Sequence, residues 1–131
     1  MVTIGYDPVL SEASSRKVDV EPVQLEDIFA RSDFITIHTP LTKETRYLIN
    51  RATLSRCKPG VRIVNCARGG IVNEEDLLEA IKSGHVAGAS LDTLEVEPPV
   101  DASHELRMHP NVIMTPHLGA STTDAQVPTV Y

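Results

Sequence analysis

The sequence predicts an α/β fold, a parallel sheet with helices on both faces. Three observations carry that prediction. Five short apolar runs recur along the 131 residues, at 2–6, 34–37, 61–64, 86–91 and 112–114. Each is strand-length and rich in β-branched or small residues. The stretches between them are long enough for a crossover helix rather than a hairpin turn, so neighbouring strands run parallel.

The helices are read from their ends. The clearest follows the third run. Asn73 caps it, Glu74, Glu75 and Asp76 suit its positive end, and Leu77, Leu78 and Ile81 form one apolar stripe. Ser83-Gly84 ends it, with Gly84 free to turn left-handed. A shorter helix is expected over 25–30. Another is expected over 51–57, capped by Asn50 and stopped by Lys58-Pro59-Gly60. Pro98-Pro99 and Pro110 mark loops before the last strand.

Composition narrows the function classes. The mass is 14.3 kDa, with 41% hydrophobic and 23% charged residues, as in ordinary globular chains. Twelve basic against eighteen acidic residues give a net charge of −6, which argues against nucleic acid as a main partner. No apolar run approaches the ~20 residues of a membrane helix, so no membrane association is expected. Cys57 and Cys66 have no ligand spacing, so neither a metal site nor a disulfide scaffold is expected; reduced thiols point to a cytoplasmic protein. The first residues carry no secretion signal.

Every apolar run stops at a residue able to recognise a ligand. The stops are Asp7, His38-Thr39-Pro40, Asn65-Cys66-Ala67-Arg68, Asp92 and Thr115-Pro116-His117. Open parallel sheets bind ligands beyond the carboxyl ends of their strands, so this pattern predicts a cleft there. Asp7 fits the carboxylate that holds the adenosine ribose of a dinucleotide, favouring NAD over NADP; a turn-forming Asp before Pro8 is the competing role. Arg68, beside Gly69-Gly70, offers two parallel hydrogen bonds to a carboxylate; a solvated loop arginine is the plainer alternative. His117 is a proton carrier suited to neutral pH. A loop carboxylate, Glu95 or Glu97, would orient it, and spacing does not choose between the two. His38, His85, His104 and His109 read as surface or packed histidines, and Ser121-Thr122-Thr123-Asp124 as a helix cap.

Three ordered motifs carry a family resemblance: Asn65-Cys66-Ala67-Arg68-Gly69-Gly70-Ile71-Val72, Ala89-Ser90-Leu91-Asp92 through Glu97-Pro98-Pro99, and Pro116-His117-Leu118-Gly119-Ala120-Ser121-Thr122. They resemble the D-isomer-specific 2-hydroxyacid dehydrogenases, nearest the branch that oxidises 3-phosphoglycerate for serine biosynthesis. Gly5-Tyr6-Asp7-Pro8 and His38-Thr39-Pro40-Leu41 agree with it. The resemblance implies a Rossmann-like sheet and NAD-dependent exchange between a small-molecule 2-hydroxy acid and its 2-oxo acid. It implies that Arg68 binds the substrate carboxylate, His117 handles the hydroxyl proton and Glu97, immediately before Pro-Pro, supports His117. It further implies that Asp7 holds the ribose, Thr39 lines the adenine side and Cys66, Ala67 and Arg68 pass the nicotinamide. Asp92 would meet the carboxamide, with His117, Leu118, Gly119 and Ala120 closing over the ring. Another 2-hydroxy acid, such as glyoxylate or hydroxypyruvate, and a non-enzymatic NAD-sensing corepressor are the rival readings.

No G-x-G-x-x-G occurs among the seven glycines. The expectation is a partial NAD-binding domain over 1–126, lacking the first strand and the Gly-rich loop, with a divergent tail at 127–131 and no substrate domain. Loss of that central strand is expected to part the first two runs from the last three. Such a chain should be weak alone, and should form a homo-oligomer or associate with the missing parts of an enzyme.

Overall fold

The computed structural model describes residues 1–9, 19–99, 105–119, 121–123 and 125. Its centre is a four-stranded parallel sheet of β3 (Phe34–Ile37), β4 (Val61–Asn65), β5 (Val86–Leu91) and β6 (Val112–Met114), in that spatial order. The register aligns Ile37 with Asn65, Asn65 with Leu91, and Leu91 with Met114. The carboxyl ends of all four strands therefore share one edge.

A smaller parallel pair joins β1 (Ile4–Gly5) to β2 (Glu21–Pro22). β2 is unforeseen because Glu-Pro is exposed and shows no apolar pattern. Pro22 has no N–H to give. The donors flanking it do the pairing, Glu21 to the Thr3 carbonyl at 3.0 Å and Val23 to the Gly5 carbonyl at 3.0 Å. β1 is shorter than the apolar run that predicts it, since its partner is only two residues long. The expected division of the sheet is corrected here. Run 34–37 stays with the later three strands as β3, and the break falls between β2 and β3 because β1 already has its partner in β2.

The helices are α1 (Leu25–Arg31), α2 (Arg51–Leu54), α3 (Glu74–Lys82) and α4 (Glu105–Met108). Asn50 and Asn73 cap α2 and α3: Asn50 Oδ1 accepts from Ala52 and Thr53, and Asn73 Oδ1 from Asp76. Gly84 closes α3 at φ +78°. α2 stops three residues early, and the remaining residues form a turn ahead of Lys58-Pro59. α4, like β2, had no sequence signal strong enough to name it.

The strands follow one another across the sheet in chain order, so right-handed crossovers set their helices on one side. Phe29, Leu54, Leu77, Ile81 and Leu106 accordingly share a single core with Ile35, Ile63, Val86 and Leu91. Among the described residues the helices form one layer. On the opposite face Phe34 and Ile113 are 60% and 66% exposed. Arg62 stacks there at 5.3 Å over the Phe34 ring. Among the described residues no helix is long and apolar enough to cross a membrane.

This one-sided core predicts unequal costs for similar truncations. Ile63→Ala, at a fully buried position, should lose about 3 kcal/mol, whereas Ile113→Ala should stay within about 0.5 kcal/mol in urea titrations. Equal losses would contradict the assignment of faces.

Candidate active site

A cleft of about 570 Å³ opens at the carboxyl ends of β3 and β4, lined by His38, Thr39, Pro40, Leu41, Cys66, Ala67 and Arg68. Four of these, Thr39, Cys66, Ala67 and Arg68, are sequence-predicted site residues. The Thr39 hydroxyl is buried with no hydrogen-bond partner among the described residues. A buried hydroxyl left so is unfavourable unless a ligand answers it.

Asn65 builds the loop that follows β4. Its side chain is almost fully buried. Oδ1 accepts the Ala67 N–H at 3.1 Å, and Nδ2 donates to the Arg68 carbonyl at 3.0 Å. One amide thus satisfies both arms of the turn. The Arg68 guanidinium is exposed and donates to the Ala67 carbonyl at 2.7 Å; it pairs with no carboxylate among the described residues. Gly69 lies against the next loop. A Cβ there would meet the Leu94 carbonyl oxygen at 1.7 Å, which no side chain tolerates.

Asp92, at the end of β5, anchors the segment beyond β6. Its carboxylate is buried and accepts three hydrogen bonds: from the Thr115 hydroxyl, from the Leu118 N–H at 2.8 Å and from the Gly119 N–H at 2.9 Å. The Thr115 hydroxyl first, then the Leu118 N–H, hold its carboxyl below the ordinary aspartate range. These bonds bracket His117, whose backbone sits at φ +55°, a conformation that non-glycine residues hold only when neighbours enforce it.

His117 Nδ1 lies 2.7 Å from Glu97 Oε2. Glu97 Oε1 accepts the Leu94 N–H at 2.7 Å. The His117 bond, then the Leu94 N–H, hold the Glu97 carboxyl below its usual range. A carboxylate only accepts, so Nδ1 carries the proton of this bond, and Nε2 is the nitrogen turned away from Glu97. The Arg68 loop touches Leu94 through Gly69, Leu94 binds Glu97, and Glu97 binds His117. Arg68, Glu97 and His117 therefore belong to one connected edge of the sheet.

Asp7 follows β1, in the smaller strand pair. It is exposed at the end of β1, and its Oδ1 accepts the Val9 N–H at 2.8 Å across Pro8, a turn-forming contact. Ala120 lies outside the described residues. Leu118 and Gly119 enter through their backbone N–H groups. In the sequence Asn65 reads only as a strand end, and its work as a loop former shows in the fold. A polar residue closing an apolar run was the available signal.

Two outcomes test this geometry. Gly69→Ala should destabilise the fold by about 1–3 kcal/mol, read by urea titration, because the two loops must part. Asp92→Asn keeps the shape but loses one acceptor. A lowered carboxyl contributes stability above its ordinary value, and that contribution disappears as pH falls through the lowered one. The stability gap between parent and Asp92→Asn should thus be widest near neutral pH and close progressively below about pH 4.

Comparison with known proteins gives the family. Residues 1–119 match the family model of the D-isomer specific 2-hydroxyacid dehydrogenase, NAD binding domain. The chain is 55% identical over 122 residues to D-3-phosphoglycerate dehydrogenase of Bacillus subtilis (strain 168), covering 93% of this chain and 23% of that protein. It is 49% identical over 127 residues to hydroxypyruvate reductase of Thermotoga maritima, covering 96% of this chain and 40% of that protein. Its structure resembles D-lactate dehydrogenase from Aquifex aeolicus, complexed with NAD and lactic acid, with a TM-score of 0.84 and 32% identity. That match covers 95% of this chain and 41% of the other. The chain thus spans 23% to 41% of these relatives' lengths. A Rossmann-type parallel sheet with its polar residues gathered at one edge, matched by this family over residues 1–119, makes the chain a member of the D-isomer specific 2-hydroxyacid dehydrogenases, in their NAD-binding domain.

Proposed function

We propose that this chain forms the cofactor side, over residues 1–126, of an NAD-dependent dehydrogenase that oxidises D-3-phosphoglycerate. The carrying observation is the 2.7 Å contact between His117 Nδ1 and Glu97 Oε2 on the edge that also bears Arg68. The 55% identity to a D-3-phosphoglycerate dehydrogenase supports the choice of acid. The relative named hydroxypyruvate reductase, at 49%, supports an unphosphorylated acid as the second reading.

The residues suit the cofactor. Thr39 brings an unanswered hydroxyl to the cleft, and Cys66, Ala67 and Arg68 line its other wall. Asp92 uses three of about four carboxylate acceptor sites, which leaves one for an amide such as the carboxamide. Asp7 is assigned to the ribose, and His117, Leu118, Gly119 and Ala120 to the nicotinamide side. Bound NAD supplies the hydride acceptor.

The protein's own task is to orient the acid and move one proton. Arg68 binds the carboxylate through its free N–H groups and fixes the reacting carbon. Nε2 of His117 takes the hydroxyl proton as the carbonyl forms. Glu97 then stabilises the imidazolium from the far side of the ring. In the reverse direction the same imidazolium returns the proton. The free thiols Cys57 and Cys66 support a cytoplasmic setting. The apolar face around Phe34 and Ile113 supports association with further copies or with other parts of the enzyme.

The test is kcat/KM for D-3-phosphoglycerate against a panel of unphosphorylated 2-hydroxy and 2-oxo acids, with NAD, on the protein bearing this sequence. The phosphorylated acid should lead; a higher value for hydroxypyruvate would favour the second reading. His117→Gln should lower kcat by about 10²–10⁴-fold. Arg68→Lys should weaken acid binding on the order of tenfold, read in KM.

A further inference from the structure

Glu95 and Tyr47 take no part in the proton path, yet their contacts converge on the loop that carries Glu97. The Tyr47 hydroxyl donates to Glu95 Oε2 at 3.0 Å, across 48 residues of sequence. Glu95 Oε1 accepts the Glu74 N–H at the start of α3, at 3.4 Å, and the Glu95 N–H donates to Glu74 Oε1 at 2.7 Å. Glu95 is therefore tied at its backbone and at both carboxylate oxygens.

Tyr47 is equally fixed. It holds φ +50°, and its N–H donates to the Gly70 carbonyl at 2.8 Å. Its carbonyl accepts from Asn50 Nδ2 at 2.7 Å. Arg46 stacks on its ring at 4.7 Å and donates to its hydroxyl at 3.3 Å. Tyr47 thus grips the Arg68-Gly69-Gly70 loop by its backbone and the Glu97 loop by its ring hydroxyl. A residue that bore only on local packing would need neither bond.

We infer that Glu95 and Tyr47 are positioning residues, a strut that sets the spacing between the Arg68 loop and the Glu97 loop and so holds Glu97 in line with His117. The inference rests on the reading of the His117–Glu97 pair given above. Glu97 lies two residues beyond Glu95, with its Oε1 held by the Leu94 N–H just before it. Freeing Glu95 releases both ends of that short segment. Glu97 then loses its fixed angle to Nδ1, and His117 loses the partner that keeps its proton on that nitrogen. The more stable tautomer of a free imidazole, with the proton on Nε2, would take over and remove the base from the reacting side.

The experiment is nitrogen-15 NMR of the His117 ring in the full chain at alkaline pH, where the imidazole is neutral, for the parent, Glu95→Gln, Tyr47→Phe and Glu97→Ala. The parent should show the proton on Nδ1. Glu97→Ala should lose that signature. Glu95→Gln keeps its shape but only one acceptor, and Tyr47→Phe loses only a hydroxyl; both should move toward the Glu97→Ala pattern while melting near the parent temperature. In turnover assays both should lower kcat about tenfold with KM for the acid nearly unchanged. An unchanged ring spectrum in a folded Tyr47→Phe overturns the strut alone. A parent ring without its proton on Nδ1 overturns the His117–Glu97 reading and the strut with it.

Discussion

The Asp92 carboxylate is the interaction on which the site depends. It closes the end of β5 and, through three accepted bonds, fixes the chain leaving β6. Without it the Thr115 hydroxyl and the Leu118 and Gly119 N–H groups would lose their common acceptor on either side of His117, which holds φ +55°. A buried carboxylate is normally costly. Here each bond also favours the ionised form, so the lowered proton affinity and the local geometry have one cause. The anchor is buried at 6% exposure, while the His117 and Glu97 side chains are 48% and 35% exposed. The anchor lies inside the edge, and the His117–Glu97 pair lies at its surface.

Parallel register makes that arrangement possible. Asn65, Leu91 and Met114 lie in one row, so residues far apart in sequence leave the sheet side by side. Each exit is then shaped by a different device. β4 leaves through the Asn65 amide, β5 through Asp92, and β6 through the left-handed turn at His117. Gly69 lets the first two exits touch, because only a residue without Cβ fits under the Leu94 carbonyl. The register brings the exits together, and these contacts tie the loops of Arg68, Glu97 and His117 to one another.

Much of this was legible in the residues. Apolar runs with β-branched residues marked four of the five strands of the expected set nearly to their ends, and the two Asn caps marked their helices. The polar stops of those runs located the edge. What stayed hidden has physical reasons. β2 is held by backbone bonds beside a proline, and no side-chain pattern encodes it. α4 is one turn whose single buried residue, Leu106, makes no period. The single helical layer among the described residues follows from strand order, which the sequence does not display. In the candidate site, residue types such as Arg68 and His117 stand out in the sequence. Asp92's grip on Leu118 and Gly119 is made through N–H groups that every residue but proline carries, so sequence could not single it out.

The choice between Glu95 and Glu97 shows where spacing stops informing. Both carboxylates sit on one short loop, two residues apart, and either is long enough to reach an imidazole. Their backbone surroundings separate them. Glu95 lies where α3 begins, and the exposed N–H of Glu74 together with the Tyr47 hydroxyl occupies both its oxygens. Glu97 meets only the Leu94 N–H with one oxygen, so the other is free for His117. A helix N-terminus draws the nearer carboxylate because its first N–H groups lack partners and carry partial positive charge. The second carboxylate then serves the histidine. Two chemically identical side chains are thereby given different partners, one the start of a helix and one the imidazole of His117, by where the helix starts.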